Sequence, residues 1–155
     1  DVGPEITSES IARIASYVGT DPRWPSFEAA LAYIRTVSAP FGTLDEAQWR
    51  HLTEHSIIRD ADGSWRFRYD PRVSDPFKAS FSGEPIDLWP YYERVRCPTL
   101  VVRGAESDLL TRDTWQRMGR CGPRAKLVEF PEVGHAPMFL TDDQIAVARD
   151  FLIAP

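Results

Sequence analysis

Apolar residues recur at every third or fourth position through much of the first third of the chain, which is the spacing of amphipathic helices. One such stripe is Ile11, Ile14, Ala15 and Val18, and a second is Phe27, Ala30, Leu31 and Ile34. Thr7 or Ser8 can cap the first helix and Ser26 the second. A third helix is predicted from Thr43, because Thr43 and Glu46 have the spacing of a capping box.

Between Ser56 and Tyr69 the apolar residues alternate with polar ones, so that the hydrophobic pattern has a period of two residues. Trp65, Phe67 and Tyr69 share one face of this stretch, and two arginines share the other. An Asp-Ala-Asp-Gly sequence at 60–63 supplies turn residues between the two halves. The stretch therefore predicts a β-hairpin.

After residue 90 the pattern becomes that of a parallel sheet. Residues 99–102 form a short, mostly apolar run closed by Gly104, as in a strand that is buried on both faces. Thr111 can cap a helix after it, and residues 125–130 have the mixed composition of a strand near a sheet edge. A strand, a helix and a strand in this order predict a βαβ unit with parallel strands.

A last helix is predicted at the carboxyl end. Thr141 and Gln144 have the spacing of another capping box. The apolar stripe that follows is Ile145, Ala148, Phe151 and Leu152. We expect this stripe to lie on the sheet.

The order of these elements predicts an α/β protein with a boundary near residue 90. Residues 1–5 are expected to end a core strand, residues 6–92 to form a mostly helical insertion with a hairpin, and residues 93–155 to form a βαβα segment.

Composition narrows the possible partners. The net charge of −5, without a cluster of lysines and arginines, argues against nucleic acid or membrane, since both need a concentrated positive surface. Two cysteines are too few for a disulfide framework, which favours a cytoplasmic setting. The Asp-Val-Gly start lacks the features of a signal peptide, and no apolar run reaches the ~18 residues of a membrane span. We expect a soluble piece of a longer protein.

Two candidate chemical groups follow the two predicted parallel strands. Asp108 comes four residues after Gly104, and His135 comes 27 residues after Asp108. The carboxyl ends of parallel strands share one edge of a sheet, so both residues are expected there. A carboxylate on one imidazole nitrogen leaves the other nitrogen to take a proton from a nucleophile. The alternatives are Glu106 as the acid, or an Asp108 that caps a turn beside an ordinary loop histidine.

A competing motif is His51-Leu-Thr-Glu54-His55, which matches the inverted signature of zinc proteases. Two histidines one helical turn apart can bind Zn²⁺, with Glu129 or Glu132 as a further ligand. Both glutamates are already explained by the βαβ unit, and such proteases are larger domains. A helix that ends in two polar histidines is therefore favoured, and we assign no metal and no cofactor.

The sequences VVRGAESDLL and VEFPEVGHAP resemble the acid and histidine segments of the α/β-hydrolase fold, and DVGPEI resembles the end of the strand before its cap. The resemblance implies the carboxyl-terminal portion of a doubly wound parallel sheet, with residues 6–92 as an inserted cap. It also implies that Asp108, in a G-x-x-x-D spacing from Gly104, orients His135 as general base. The family's G-x-S-x-G elbow does not occur in this chain. The nucleophile is therefore expected upstream of Asp1.

The resemblance further implies a serine-type hydrolase for a small ester, lactone or carbon–carbon substrate. Trp49, His55 and Phe139 are the candidate substrate-binding residues. The same fold also carries dehalogenases, cofactor-free oxygenases and non-catalytic binding proteins, which stay open as alternatives. The expected partners are the small-molecule substrate and either the missing amino-terminal half or another copy of the chain.

Overall fold

The computed structural model describes residues 1–75 and 84–153. Within this described part the helices are α1 Ser8–Tyr17, α2 Phe27–Val37, α3 Glu46–Ser56, α4 Trp89–Tyr92, α5 Arg112–Met118 and α6 Asp142–Leu152. The strands are β1 Glu5–Ile6, β2 Ile57–Arg59, β3 Trp65–Phe67, β4 Ile86–Asp87, β5 Leu100–Gly104 and β6 Lys126–Phe130. Short 3₁₀ turns occur at Ala39–Phe41 and Pro71–Ser74. No helix of this part combines the length and apolar character that crossing a bilayer requires.

The chain divides into two compact units. The sheet unit contains residues 1–10, 40–43 and the described residues from 84 onward. The helix–hairpin unit contains residues 11–39 and the described residues from 44 to 75. Residues 76–83, which belong to the predicted insertion, lie outside the described part.

The sheet unit is built on the predicted βαβ segment. Strands β5 and β6 pair in parallel, with Leu100 opposite Lys126 and Gly104 opposite Phe130. Helix α5 connects them, and the Thr111 hydroxyl caps it by accepting a hydrogen bond from the Thr114 N–H. The apolar cluster under these elements consists of Trp89, Val101, Leu110, Met118 and Ala125. The first residues of the chain join this unit through β1, which pairs antiparallel with β4.

The helix–hairpin unit has its own core. Strands β2 and β3 form the predicted antiparallel hairpin. The main-chain N–H of Trp24 donates a hydrogen bond to the Trp65 carbonyl, and the N–H of Trp65 donates one to the Trp24 carbonyl. The buried residues are Trp24, Ala30, Ile34 and Ile57. Trp24 and Phe67 meet edge to face, with ring centroids 5.0 Å apart. Trp65, which is partly buried, packs against this cluster.

Two sequence predictions were wrong in detail. Helix α3 is not capped by Thr43, because Asp45 and Gln48 form the reciprocal capping box two residues later. An Asp-x-x-Gln pair satisfies the same backbone groups as a Thr-x-x-Glu pair, and both pairs have the same spacing. The rule therefore does not distinguish between them.

The second error concerns α6. Its predicted apolar stripe does not lie on the sheet, since Ile145 and Leu152 are 45% and 78% exposed. Gln144 is the buried residue of this helix, and its side-chain oxygen accepts a hydrogen bond from the Phe139 N–H instead of closing the predicted capping box. In the described residues the parallel sheet has only two strands, which offers little surface for an apolar helix face.

Candidate active site

The loops after β5 and β6 are joined at the carboxyl edge of the parallel strands. The Ala105 N–H donates to the Phe130 carbonyl at 2.8 Å, and the Glu106 N–H donates to the Val133 carbonyl at 2.9 Å. A Cβ atom on Gly104 would lie 2.2 Å from the Gly134 carbonyl oxygen. Only glycine therefore lets the loop that carries the histidine approach the end of β5 so closely.

Replacing Gly104 with alanine is expected to destabilise the protein by about 3 kcal/mol, because the new methyl group must displace main chain rather than a flexible side chain. Gly119→Ala is the matched control. Its Cβ would meet the end of the Leu127 side chain, and we expect a loss of about 1 kcal/mol. Urea unfolding of both variants measures the difference, and equal losses would show that the approach at Gly104 is not tight.

His135 lies in this joined loop and its ring contacts Asp1. The Nδ1 atom is 2.6 Å from Asp1 Oδ1 and 3.2 Å from the Asp1 main-chain oxygen. Glu132, before His135, and Phe139, after it, have left-handed backbone conformations, with φ values of 56° and 55°. Such conformations are uncommon for residues other than glycine and occur often at functional sites.

The Asp1 carboxylate is held from two sides. Its side chain is 0% exposed, and Oδ2 accepts a hydrogen bond from the Gly104 N–H at 2.9 Å. The carboxylate that contacts the imidazole thus belongs to Asp1, a residue that the sequence pattern placed only at the end of a core strand. The signal that could have found it is an aspartate two residues before a Gly-Pro pair, at the end of an expected strand.

Asp108 lies in the loop after β5, as predicted, and its side chain is exposed. Its main-chain oxygen accepts a hydrogen bond of 3.5 Å from the Ser10 hydroxyl. Glu106, the alternative acid, is also exposed. The assignment of Asp108 as the acid that orients His135 stays a prediction.

The buried side chain of Arg103 forms hydrogen bonds with the loop after β5. Its guanidinium donates to the carbonyls of Leu110 and Ser107, at 2.7 Å and 3.2 Å. A third bond, of 2.5 Å, reaches the carboxylate of Glu129 on the neighbouring strand. The Arg103 side chain is 6% exposed, so the sheet contains a buried ion pair whose cation also fixes the path of residues 107–110.

The predicted substrate-binding residues lie in different units. Phe139 is in the sheet unit, four residues after His135, and is 41% exposed. Trp49 and His55 are on α3, in the helix–hairpin unit. His55 lines an open groove of about 430 Å³ together with Ser56, Phe67, Arg68 and Tyr69.

The rings of the two histidines of the competing zinc motif are in contact, at an interplanar angle of 39°. The ring centroids of His51 and His55 are 4.3 Å apart, and His55 Nδ1 lies 2.8 Å from the His51 carbonyl oxygen. Glu129, considered as a further ligand, is bound by Arg103 and Arg112. In the described residues, no group of three or more histidine, cysteine or carboxylate side chains is placed to hold a metal ion.

Comparison with known proteins agrees with this architecture. A model of the alpha/beta hydrolase family matches residues 4–149. This chain belongs to the alpha/beta hydrolase family. The fold and the family that the segments around Gly104 and His135 resembled are thereby confirmed.

The relatives of this hydrolase chain are about twice its length. It is 41% identical over 160 residues to a 3-hydroxybutyrate-oligomer hydrolase of Cupriavidus necator, a match that covers 97% of this chain and 54% of that protein. A crystal structure of an alpha/beta hydrolase from Novosphingobium aromaticivorans superposes with a TM-score of 0.83 and 31% identity, over 98% of this chain and 54% of that one. A crystal structure of a hydrolase from Rickettsia typhi superposes with a TM-score of 0.86 and 26% sequence identity. This match covers 98% of this chain and 51% of that one.

Proposed function

We propose that this chain is the carboxyl-terminal half of a serine-type ester hydrolase and that His135 is its general base. The observation that carries the proposal is the setting of the imidazole. The ring lies at the carboxyl edge of the parallel strands, is 31% exposed, and has acceptor oxygens on Nδ1. Open α/β sheets place their chemistry at this edge.

The reaction proceeds through two proton transfers at Nε2 of His135. In the first, Nε2 takes the proton of a serine hydroxyl while the oxygen attacks the ester carbonyl. In the second, the imidazolium returns this proton to the departing alkoxide, which leaves as an alcohol. In the second half of the reaction Nε2 takes a proton from water, whose oxygen attacks the acyl-enzyme. The imidazolium then returns this proton to the serine oxygen, and the acid is released. The serine and the donors that stabilise the oxyanion belong to a segment outside this sequence.

The proposed substrates are esters of small hydroxy acids. Support comes from the 41% identity to a relative named for hydrolysis of 3-hydroxybutyrate oligomers. We propose Trp49, His55 and Phe139 as residues that contact the substrate.

The sheet unit supports the proposal of a missing half. Within the described residues, β5 pairs with β6 on one side only, although Val101 is buried as in an inner strand. The apolar residues Ile145 and Leu152 of α6 are exposed. An unpaired strand edge and an uncovered apolar face are both costly in water, and further strands would cover them.

The 155-residue chain by itself is therefore expected to be inactive and to self-associate. The full-length protein is expected to hydrolyse 3-hydroxybutyrate dimers and p-nitrophenyl esters. Size-exclusion chromatography with an ester assay checks both statements. A fluorophosphonate probe should label one serine upstream of Asp1 in the full-length protein. A stable 155-residue monomer with multiple turnovers that disappear in His135→Ala would contradict the proposal and place the nucleophile within this chain.

A further inference from the structure

We propose that Asp1 is the positioning residue that orients His135, in the role that the resemblance gives to Asp108. This inference rests on the proposed function, because it names the carboxylate that makes His135 an effective base. The two residues are 134 positions apart, yet their side chains meet at 2.6 Å. Such a distance is typical of a charge-assisted hydrogen bond.

The surroundings of Nδ1 decide where the imidazole proton resides. Both the carboxylate and the main-chain oxygen of Asp1 face this nitrogen, at 2.6 Å and 3.2 Å. Each of these oxygens can only accept a hydrogen bond, so Nδ1 must carry the proton. A neutral His135 therefore presents an unprotonated Nε2, which is the state that a general base requires.

The burial of Asp1 makes its charge effective. A carboxylate that is 0% exposed is costly unless its oxygens are paired, and here Oδ1 has the imidazole and Oδ2 has the Gly104 N–H. Little water surrounds the negative charge, so it stabilises the imidazolium that forms when Nε2 takes a proton more strongly than a solvated carboxylate would.

Gly104 also fixes the direction of the Asp1 carboxylate. Its N–H belongs to the last residue of β5, and the same glycine forms the close approach to the loop of His135. One strand end therefore sets the positions of both members of the pair. Asp108 lies four residues beyond the end of this strand, in the loop after β5, and belongs to the exposed residues of the unit.

Asp1→Asn in the full-length protein tests the assignment, because asparagine keeps the shape of the side chain and removes its charge. We expect kcat to fall by about 10⁴-fold with little change in KM, as when the orienting carboxylate of a serine protease is replaced. Asp1→Glu should restore part of the loss. Asp108→Asn should cost at least tenfold less than Asp1→Asn. Asp113→Asn, an exposed carboxylate of the same unit, is the matched control and should leave kcat unchanged.

A spectroscopic measurement separates positioning from a structural effect. Nitrogen-15 NMR of the imidazoles, with His135 assigned by the loss of its signals in His135→Gln, should show the proton on Nδ1 in the unchanged protein. In Asp1→Asn both tautomers should appear. Should that variant fail to fold, the unchanged protein still decides, since a proton on Nε2 would overturn the assignment.

The outcomes distinguish this inference from the proposed function. If Asp108→Asn causes the larger loss and changes the tautomer of His135 while Asp1→Asn does neither, the assignment of Asp1 is overturned and the general base stands. If His135→Gln keeps full esterase activity, the proposed function and this inference both fail.

Discussion

Replacing His135 with alanine in the full-length protein is expected to lower kcat for ester hydrolysis by about 10⁴- to 10⁶-fold. In the proposed mechanism the imidazole takes the proton of the nucleophile, so the rate that remains without it comes from substrate binding and oxyanion stabilisation. The loss should appear equally in kcat and kcat/KM, because the lost interaction is made in the transition state. Steady-state kinetics with a p-nitrophenyl ester and with a 3-hydroxybutyrate dimer measure it.

His51→Ala is the matched control for this experiment. His51 is an exposed histidine of α3, in the helix–hairpin unit. Its removal should leave kcat within about twofold, because His51 takes no part in the proposed proton transfers. Its ring contacts that of His55, so any effect on substrate binding is expected in KM. A loss in His51→Ala as large as that in His135→Ala would revive the zinc hypothesis. Full activity in a folded His135→Ala variant would remove His135 from the mechanism.

Arg103→Leu is expected to destabilise the protein by about 3–5 kcal/mol, which is enough to unfold a domain of ordinary stability. The substitution leaves the Glu129 carboxylate without its buried partner and removes the two bonds to the carbonyls of Leu110 and Ser107. Arg103→Lys should recover only part of this, because an ammonium group does not reproduce the fork of a guanidinium. Thermal and urea unfolding of purified variants measure the change.

Arg112→Gln provides the comparison for Arg103, because both arginines bind Glu129. The Arg112 side chain is 66% exposed and its bond to Glu129 is 3.1 Å long. Exposed ion pairs contribute little, so a loss below about 1 kcal/mol is expected. Similar losses in Arg103→Leu and Arg112→Gln would mean that burial of the inner pair has no energetic consequence.

The βαβ segment could be predicted from the sequence because its signals are local. An apolar run closed by Gly104, a threonine cap at 111 and a mixed strand at 125–130 are each contained in a few residues, and the structure confirms all three. Parallel pairing then follows from their order. The hairpin at 57–67 was predictable for the same reason, since its alternation and its turn lie within one short stretch.

The partner of His135 could not be predicted in this way. The contact with Asp1 depends on the antiparallel pairing of β1 with β4 and on the close approach at Gly104, and neither leaves a periodic pattern. The position of the α6 stripe failed for a related reason. Period alone shows that Ile145 and Leu152 share a face, but what covers that face depends on elements distant in sequence.

The separation of Asp1 and His135 has a consequence during synthesis of the protein. The pair joins residues 134 positions apart, so it cannot form until the ribosome has released His135. At a translation rate of about 5–20 residues per second, this delay is on the order of ten seconds after Asp1 emerges. During this interval the amino-terminal segments can fold, but the general base of the proposed reaction has not yet been made. A nascent chain interrupted between residue 84 and the loop after β6 would therefore contain all residues of the helix–hairpin unit but not the proposed general base.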